Sequence, residues 1–347
     1  MTGVATLAEF KELVQATLEN NEVSLHAFGK TLKTQLKAYL IESNVPSPAN
    51  LPVPRGGTWA QIDPAGWYVA RGQAARDSLF LDTTSGRVWK LYSLLEANES
   101  DAVADDWVED TKGLDHAWLS RGQLLMSEVG GSWEQRGLGL RFDDGLFPEE
   151  ERGSFSLKAW HGVGRYFERL GEVLNAAKEQ FAIHSARWQK RSNGAVVIST
   201  EWYSNGKATI NRGVDVDEVL AHVSHMAHRY ADGLSEATDL RDSQLGAFEF
   251  DFAQAIDLDR LSEAVAQGTG GLKLWLVETE KDPALRRFKG VDLHTWDRVL
   301  LDVGPNFAYL SIPQEGCVNA VPRMAVAQGE ANSGKTEVFY DGVPLFT

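Results

Sequence analysis

The sequence predicts an α+β fold of two related halves with mixed or antiparallel sheets, bridged by one long helix and preceded by an N-terminal helical pair. Apolar residues recur at helical spacing near the N-terminus and again in the middle of the chain. Short alternating runs, separated by turns rich in glycine, proline and asparagine, predict antiparallel hairpins elsewhere. Because hairpins and helices mix without regular strand–helix–strand alternation, the α+β class is favoured over a parallel α/β sheet.

The predicted bridging helix covers residues 162–191. Its apolar positions are spaced alternately by four and three residues, which forms a heptad seam from Val163 to Trp188 that includes His184. No proline interrupts the segment, and Ser192-Asn193-Gly194 ends it. The seam predicts that the helix packs either inside the chain or against a second copy, which would form a homo-oligomer.

The other segments are delimited by Asn, Pro and Gly. Residues 1–45 carry two apolar stripes separated by Asn20-Asn21, which predicts the helical pair, and residues 46–58 form a Pro- and Gly-rich linker. Residues 59–161 are predicted as the first α+β half, and residues 192–347 as the second half with a β-rich C-terminus. Both halves follow the order hairpin, helix, strand, connection, strand, which predicts an internal duplication.

Length and composition favour a two-domain cytoplasmic protein. The chain has 347 residues, which exceeds the usual size of a single hydrophobic core. Its one cysteine, Cys317, permits no internal disulfide and predicts a reducing compartment. The N-terminus lacks a signal-peptide pattern. No apolar run reaches the roughly 18–20 residues of a membrane helix.

The charge balance argues against a broad nucleic-acid or membrane surface. With 34 Lys and Arg against 49 Asp and Glu, the formal net charge is −15, whereas phosphate binding needs clustered cations. Nucleic acid is therefore expected only at a local patch, and no membrane contact is expected. The 11 tryptophans favour a protein-binding role, because tryptophan is enriched at contact surfaces.

A basic and aromatic cluster at Arg286, Arg287, Phe288 and Lys289 contrasts with the acidic chain. It is predicted to lie in the loop after a strand at residues 272–278. A helix terminus would explain such a cluster locally, but none is predicted here, so phosphate, RNA and an acidic protein are the candidate ligands. The alternative is a solvated basic loop without a ligand.

Three histidines are predicted to lie on one helix, residues 215–231, at intervals of three: His222, His225 and His228. The apolar residues of this segment fall on the opposite side, so the histidines are expected to face solvent or a partner. A metal site would need further ligands with fixed support. No metal site is therefore predicted, and a partner contact or a solvated face remains.

Residues Gly329 to Thr336 match the phosphate-binding pattern G-x-x-x-x-G-K-[ST] letter for letter. That loop needs a preceding strand and a following helix, whose N-terminal amides hold the phosphates. A strand is expected at residues 323–327, but residues 337–342 alternate as another strand would. The sequence therefore predicts a polar hairpin loop and a chance match.

These patterns favour a non-enzymatic cytoplasmic binding or assembly subunit that acts through Trp-rich surfaces and the basic loop. No catalytic constellation is intact, so an enzyme is disfavoured and no cofactor is expected. The alternative is a sensor of phosphate-bearing ligands, either nucleotide or nucleic acid, or a metal-dependent enzyme. It would use Arg286, Arg287 and Lys289 for charge, and Asp251 or Glu278 for the metal.

Overall fold

The computed structural model describes residues 3–28, 31–54, 56–72, 78–125, 133–143, 154–160, 182–266, 272–332 and 334–346. Within them the chain has six helices and two antiparallel sheets, of eleven and seven strands. The α+β class with two sheet halves is thus confirmed. The chain divides into two compact units, unit 1 (Met1–Ala117, Glu128–Gln135, Arg187–Ala231) and unit 2 (Trp118–Ser127, Arg136–Ala186, Asp232–Thr347).

The helices, numbered along the chain, are α1 (Leu7–Phe28), α2 (Ala97–Asp110), α3 (Arg121–Leu125), α4 (Val216–Ser243), α5 (Leu258–Ala266) and α6 (Ala320–Asn332). The first sheet consists of β1 (Lys37–Ser43), β2 (Thr58–Asp63), β3 (Trp67–Arg71), β4 (Leu79–Asp82), β5 (Val88–Ser93), β6 (Leu114–His116), β7 (Trp133–Asp143), β8 (Ser154–Trp160), β9 (Ile183–Ser192), β10 (Ala195–Tyr203) and β11 (Lys207–Gly213). The second sheet consists of β12 (Phe248–Phe252), β13 (Leu274–Asp282), β14 (Leu285–Asp292), β15 (Arg298–Val303), β16 (Phe307–Ser311), β17 (Thr336–Tyr340) and β18 (Val343–Leu345).

Strand β1 lies at the centre of the sheet in unit 1, where the strand order is β2-β3-β4-β5-β1-β11-β10. Tyr39 of β1 pairs with Leu91 of β5 on one side and with Lys207 of β11 on the other. Every residue of β1 is buried, as expected for a strand covered on both faces. The central strand therefore depends on partners that lie far apart in the sequence.

Helix α1 covers one face of this sheet with aromatic contacts. The ring of Phe10 lies 4.6 Å from Phe80, 5.2 Å from Trp67 and 5.8 Å from Tyr92, measured between ring centroids. Such tilted aromatic packing adds to the hydrophobic contribution of the buried area. The helix is therefore part of the core of unit 1 and not an appendage.

A buried ion pair lies inside unit 1. The Nζ atom of Lys90 is 2.7 Å from Oδ2 of Asp82, and the two side chains are only 1% and 3% exposed. Three hydroxyl groups surround the ammonium, from Thr84, Ser85 and Ser224. These contacts satisfy charges that would otherwise be costly to bury.

The second sheet belongs to unit 2 and has the order β13-β14-β15-β16-β12-β17-β18. Its strands alternate between buried and more exposed side chains, and α5 packs against β13 and β14. A buried pair joins this sheet to α6, because Arg323 donates to Asp292 at 2.6 Å. One sheet face thus forms the core of unit 2.

Three predictions for the helices were wrong. The N-terminal pair is one helix, α1, which continues through Asn20-Asn21, and residues 37–43 form β1 instead of a second helix. The end of the predicted bridging helix, from Ile183 onwards, is β9, whereas residues 161–181 lie outside the described residues. Residues 323–327, which were predicted as a strand, lie within helix α6. The seam to Trp188 therefore cannot be one continuous helix.

The predicted linear segments also differ from the compact units. Each unit combines three stretches of chain, so residues 187–231 belong with the N-terminal part and not with a second half that starts at residue 192. Within the part of the chain that the structure describes, no helix has the length and apolar character required to cross a membrane.

Candidate functional site

The basic cluster lies on strand β14 and not in a loop, which corrects the prediction for Arg286, Arg287 and Lys289. A hairpin turn joins β13 to β14, and in this turn the amide of Ala284 donates to Asp282 at 2.9 Å. Successive side chains on a strand point to opposite faces. Arg286 is accordingly buried, whereas Arg287 and Lys289 are exposed on the other face.

The side chain of Arg286 lies on the buried face of the second sheet, in unit 2. Its guanidinium donates to Asp259 of α5 at 2.7 Å and lies 3.4 Å from Glu278 of β13. The hydrogen bond from Arg286 is the main cause of the lowered pKa of Asp259, and Lys281 adds to it. Glu278 also accepts a hydrogen bond from Ser262 of α5 at 2.9 Å. Arg286 thus holds α5 against the sheet.

Arg287 lies on the opposite face and has two acidic neighbours. Its guanidinium is 2.6 Å from Glu280 and 3.3 Å from Asp302. The hydrogen bond to Glu280 is the main cause of its raised pKa. Since both acids lie on adjacent strands, the charge of Arg287 is compensated within the sheet.

The exposed face around Lys289 carries an uncommon set of apolar side chains. Trp275 is 58% exposed, Val277 is 48% exposed and Leu300 is 49% exposed. Strand register places these residues beside two exposed cations and a half-buried valine, because Val277 pairs with Lys289, Lys289 with Leu300, Trp275 with Val291 and Val291 with Arg298. We call this six-residue patch the open face: Trp275, Val277, Lys289, Val291, Arg298 and Leu300.

Close approach of β13 and β14 supports the open face. A Cβ atom at Gly290 would lie 1.8 Å from the carbonyl oxygen of Trp275 and 2.9 Å from the Cα atom of Leu276. These atoms belong to the backbone, so no rotamer change could make room for a side chain. Glycine at this position therefore fixes the spacing of the strands that present Trp275 and Lys289.

The three histidines of α4 separate into different environments. His225 and His228 are exposed, as predicted, but His222 is buried, which corrects the prediction for that residue. The indole of Trp202 donates to Nε2 of His222 at 3.0 Å, and the ring of Trp133 stacks on His222 at 4.3 Å between centroids. Burial lowers the pKa of His222 to about 3. His222 is thus a neutral core residue of unit 1.

Within residues 329–336, helix α6 ends at Asn332, and Ser333 lies outside the described residues. The amide of Gly334 donates to the carbonyl of Gly329 at 3.2 Å, which is the six-to-one bond that closes many helix C-termini. Strand β17 starts at Thr336. A phosphate loop presents the positive end of a helix to its ligand, whereas residues 334–336 follow the negative end. The geometry is therefore neither a phosphate loop nor the predicted hairpin loop.

Comparison with known proteins gives a family without a stated activity. Residues 1–327 match the model of the MJECL33-like protein family. The chain belongs to this family. It is 22% identical over 339 residues to the uncharacterized protein MJECL33 of Methanocaldococcus jannaschii, covering 83% of this chain and 82% of the relative. No solved structure matches the chain.

Sequence reasoning missed most of the open face. It singled out Lys289, but not Trp275, Val277, Val291, Arg298 or Leu300. One signal was present: residues 274–277 read Leu-Trp-Leu-Val, so both faces of a strand there would be apolar. The 11 tryptophans gave little help, because Trp59, Trp67, Trp89, Trp107, Trp188 and Trp202 are buried.

Proposed function

We propose that this protein is a non-enzymatic binding subunit that docks an acidic protein segment with apolar side chains on the open face. The observation that carries the proposal is the exposure of Trp275, Val277 and Leu300 next to Lys289. Exposed tryptophan and flanking apolar residues are the usual anchors of protein interfaces. Monomeric surfaces rarely group such residues without a partner.

The charges of the open face support an acidic partner. Lys289 and Arg298 are exposed, and neither forms an ion pair with any residue that the structure describes. Both cations stand out from a chain whose formal net charge is −15. Complementary charge increases the rate of association and disfavours wrong partners. An acidic segment with apolar anchors would match both properties.

The contacts support this reading over a nucleic-acid surface or a metal-dependent enzyme. Arg286 is engaged by Asp259, and Arg287 by Glu280. Glu278, a candidate metal ligand, is already paired with Arg286 and Ser262. Nucleic-acid binding generally requires more uncompensated cations than the two on the open face.

We also propose a cytoplasmic location. The single cysteine, Cys317, is buried and forms no disulfide, which is the pattern of proteins from reducing compartments. A partner of the open face would accordingly be sought among cytoplasmic proteins.

The proposal predicts that Trp275→Ser and Lys289→Glu release a partner that the intact chain retains. Loss of a central tryptophan anchor should weaken binding by about 30-fold, since such residues contribute about 2 kcal/mol or more. The measurement is affinity capture with the full-length chain, followed by titration of the purified partner against each variant. Binding should also weaken as salt is raised, because the cations contribute through charge.

Two variants serve as controls for this experiment. Val343→Ser changes an exposed apolar residue at the far end of the same sheet, and Lys11→Glu reverses an exposed charge in unit 1. Both should retain the partner with unchanged affinity. Equal retention by Trp275→Ser and the controls would refute the proposal, as would capture of nucleic acid by a salt-sensitive contact that survives Trp275→Ser.

A further inference from the structure

A cavity of about 410 Å³ lies inside unit 2, away from the open face. It is bounded by α3 and the residues before it, residues 182–183, helix α6, and strands β17 and β18 with the residues next to them. None of the open-face residues lines it. Its volume falls within the range of small-molecule sites, about 300–1,000 Å³.

Most of the cavity wall is apolar. Aliphatic and aromatic side chains come from every bounding element, among them Leu119, Ile183, Val326, Phe339 and Phe346. A wall of this kind favours a ligand with a hydrocarbon or aromatic body, because burial of that body removes apolar surface from water. Water alone would gain few hydrogen bonds there.

The cavity lining also includes two cationic residues, Arg121 and Lys335. Lys335 lies 2.6 Å from Glu337, but its side chain is only 25% exposed, whereas that of Glu337 is 51% exposed. An ion pair with such an exposed partner is weak and can exchange. The Lys335 ammonium is therefore accessible to an anionic group that enters the cavity.

The second acid of the cavity is already engaged. Oε1 of Glu330 lies 2.8 Å from Nδ1 of His184, and the two side chains are 16% and 17% exposed. Glu330 thus forms a largely buried pair with His184 inside unit 2, whereas the side chain of Glu337, the partner of Lys335, is exposed. The group that an anionic ligand would meet is therefore the Lys335 ammonium.

We propose that this cavity binds a small amphipathic carboxylate, with the carboxylate on Lys335 and the apolar body against the aliphatic wall. A nucleotide does not match this site, because Gly329 and Glu330 of the last turn of α6 line it, and the C-terminal end of a helix carries negative potential. A single carboxylate needs one good cationic partner and tolerates this potential better than several phosphates. Lys335, the lysine of the segment that matches the phosphate-loop pattern, would thus bind a carboxylate and not a phosphate.

The test compares three probes with the same ten-carbon chain: decanoate, methyl decanoate and decyltrimethylammonium. Isothermal titration on the full-length protein measures the dissociation constant, below the micelle concentration of the two charged probes and within the aqueous solubility of the ester. Decanoate should bind at one site per chain and about tenfold or more tighter than the uncharged ester, because a hydrogen bond to a charged group is the stronger kind. The cationic probe should bind most weakly.

Two substitutions should change decanoate binding in opposite directions. Lys335→Met keeps the length of the side chain and removes its charge, so affinity should fall about tenfold. Glu337→Gln releases Lys335 from its exposed partner, so affinity should rise by about two- to fivefold. The ester should respond to neither change, and Lys289→Met on the open face is the matched control that should leave all three probes unaffected.

A steric variant tests the location of the site. Val326→Trp places an indole in the cavity and should abolish binding of both decanoate and its ester, with circular dichroism used to verify that the chain is folded. Equal affinity for decanoate and the ester, or an unchanged decanoate affinity in both Lys335→Met and Glu337→Gln, would overturn the proposal. This outcome is independent of whether the open face binds a protein.

Discussion

Replacing Lys90 by methionine should lower the free energy of unfolding of unit 1 by about 3–5 kcal/mol. The substitution leaves the carboxylate of Asp82 buried, 3% exposed, without the ammonium that lies 2.7 Å away. Thr84 would remain as a donor to Asp82, at 2.6 Å, but a hydroxyl cannot neutralise the charge. Urea unfolding monitored by tryptophan fluorescence measures the change.

The double variant Asp82→Leu with Lys90→Met is the informative companion. It removes both charges, so most of the lost stability should return, because a buried pair can often be exchanged for apolar residues at little cost. Arg287→Met is the surface control, since its partners Glu280 and Asp302 are exposed. It should change stability by no more than about 1 kcal/mol. A Lys90→Met variant as stable as this control would refute the account.

His222 should make unit 1 sensitive to acid. Its pKa is about 3 in the folded chain, whereas the ordinary value for a histidine side chain is 6.5. Burial is the main cause, and the nearby charges of His225 and Lys190 lower the pKa further. The unfolded chain therefore binds the proton first, so His222 contributes stability above pH 6.5 that is lost as pH falls towards 3.

The comparison that isolates this effect is the parent chain against His222→Gln. Glutamine still offers an acceptor to the indole of Trp202, but it does not titrate. Between pH 7 and pH 4, the parent should lose about 3 kcal/mol more of its free energy of unfolding than His222→Gln does. His228→Gln, an exposed change on the same helix, should retain the pH profile of the parent. Parallel profiles for the parent and His222→Gln would contradict the prediction.

The hairpins were the most predictable part of the fold. Alternating residues on both sides of Ser204-Asn205-Gly206 are typical of a hairpin, and β10 and β11 occupy Ala195–Tyr203 and Lys207–Gly213. The connection contains Gly206 with φ of 75°, a conformation that favours glycine. The turn residues and the alternation act locally, so they can be read without knowledge of distant contacts.

Elements stabilised by distant partners could not be predicted in this way. Residues 37–43 read as helical from spacing alone, but they form β1 because β5 and β11 supply its hydrogen bonds. Likewise, His184 and Trp188 fell on the heptad spacing of the predicted helix, but both lie on β9. A short apolar run has the same local appearance as a buried helix or a buried strand.

The candidate site was only partly visible for a related reason. The basic residues were recognised, but the turn at Asp282-Pro283-Ala284 was not, so Arg286 to Lys289 were placed in a loop. Once β14 is a strand, alternation assigns Arg286 to the buried face and Lys289 to the exposed face. The neighbours of Lys289 come from β13 and β15, and register across strands cannot be read from one segment.

The central position of β1 has a consequence for synthesis of the protein. Strand β6 pairs with residues 41–43 of β1, but Lys37, Ala38 and Tyr39 pair with residues 207–209, so this half of the edge has no strand partner until the ribosome has added about 170 more residues. At typical elongation rates this takes roughly 10–30 s. During that interval residues 37–39 of β1 are available for pairing with other nascent chains. Expression at lower temperature or with abundant chaperones should therefore increase the recovered yield more than any change to the C-terminal strands.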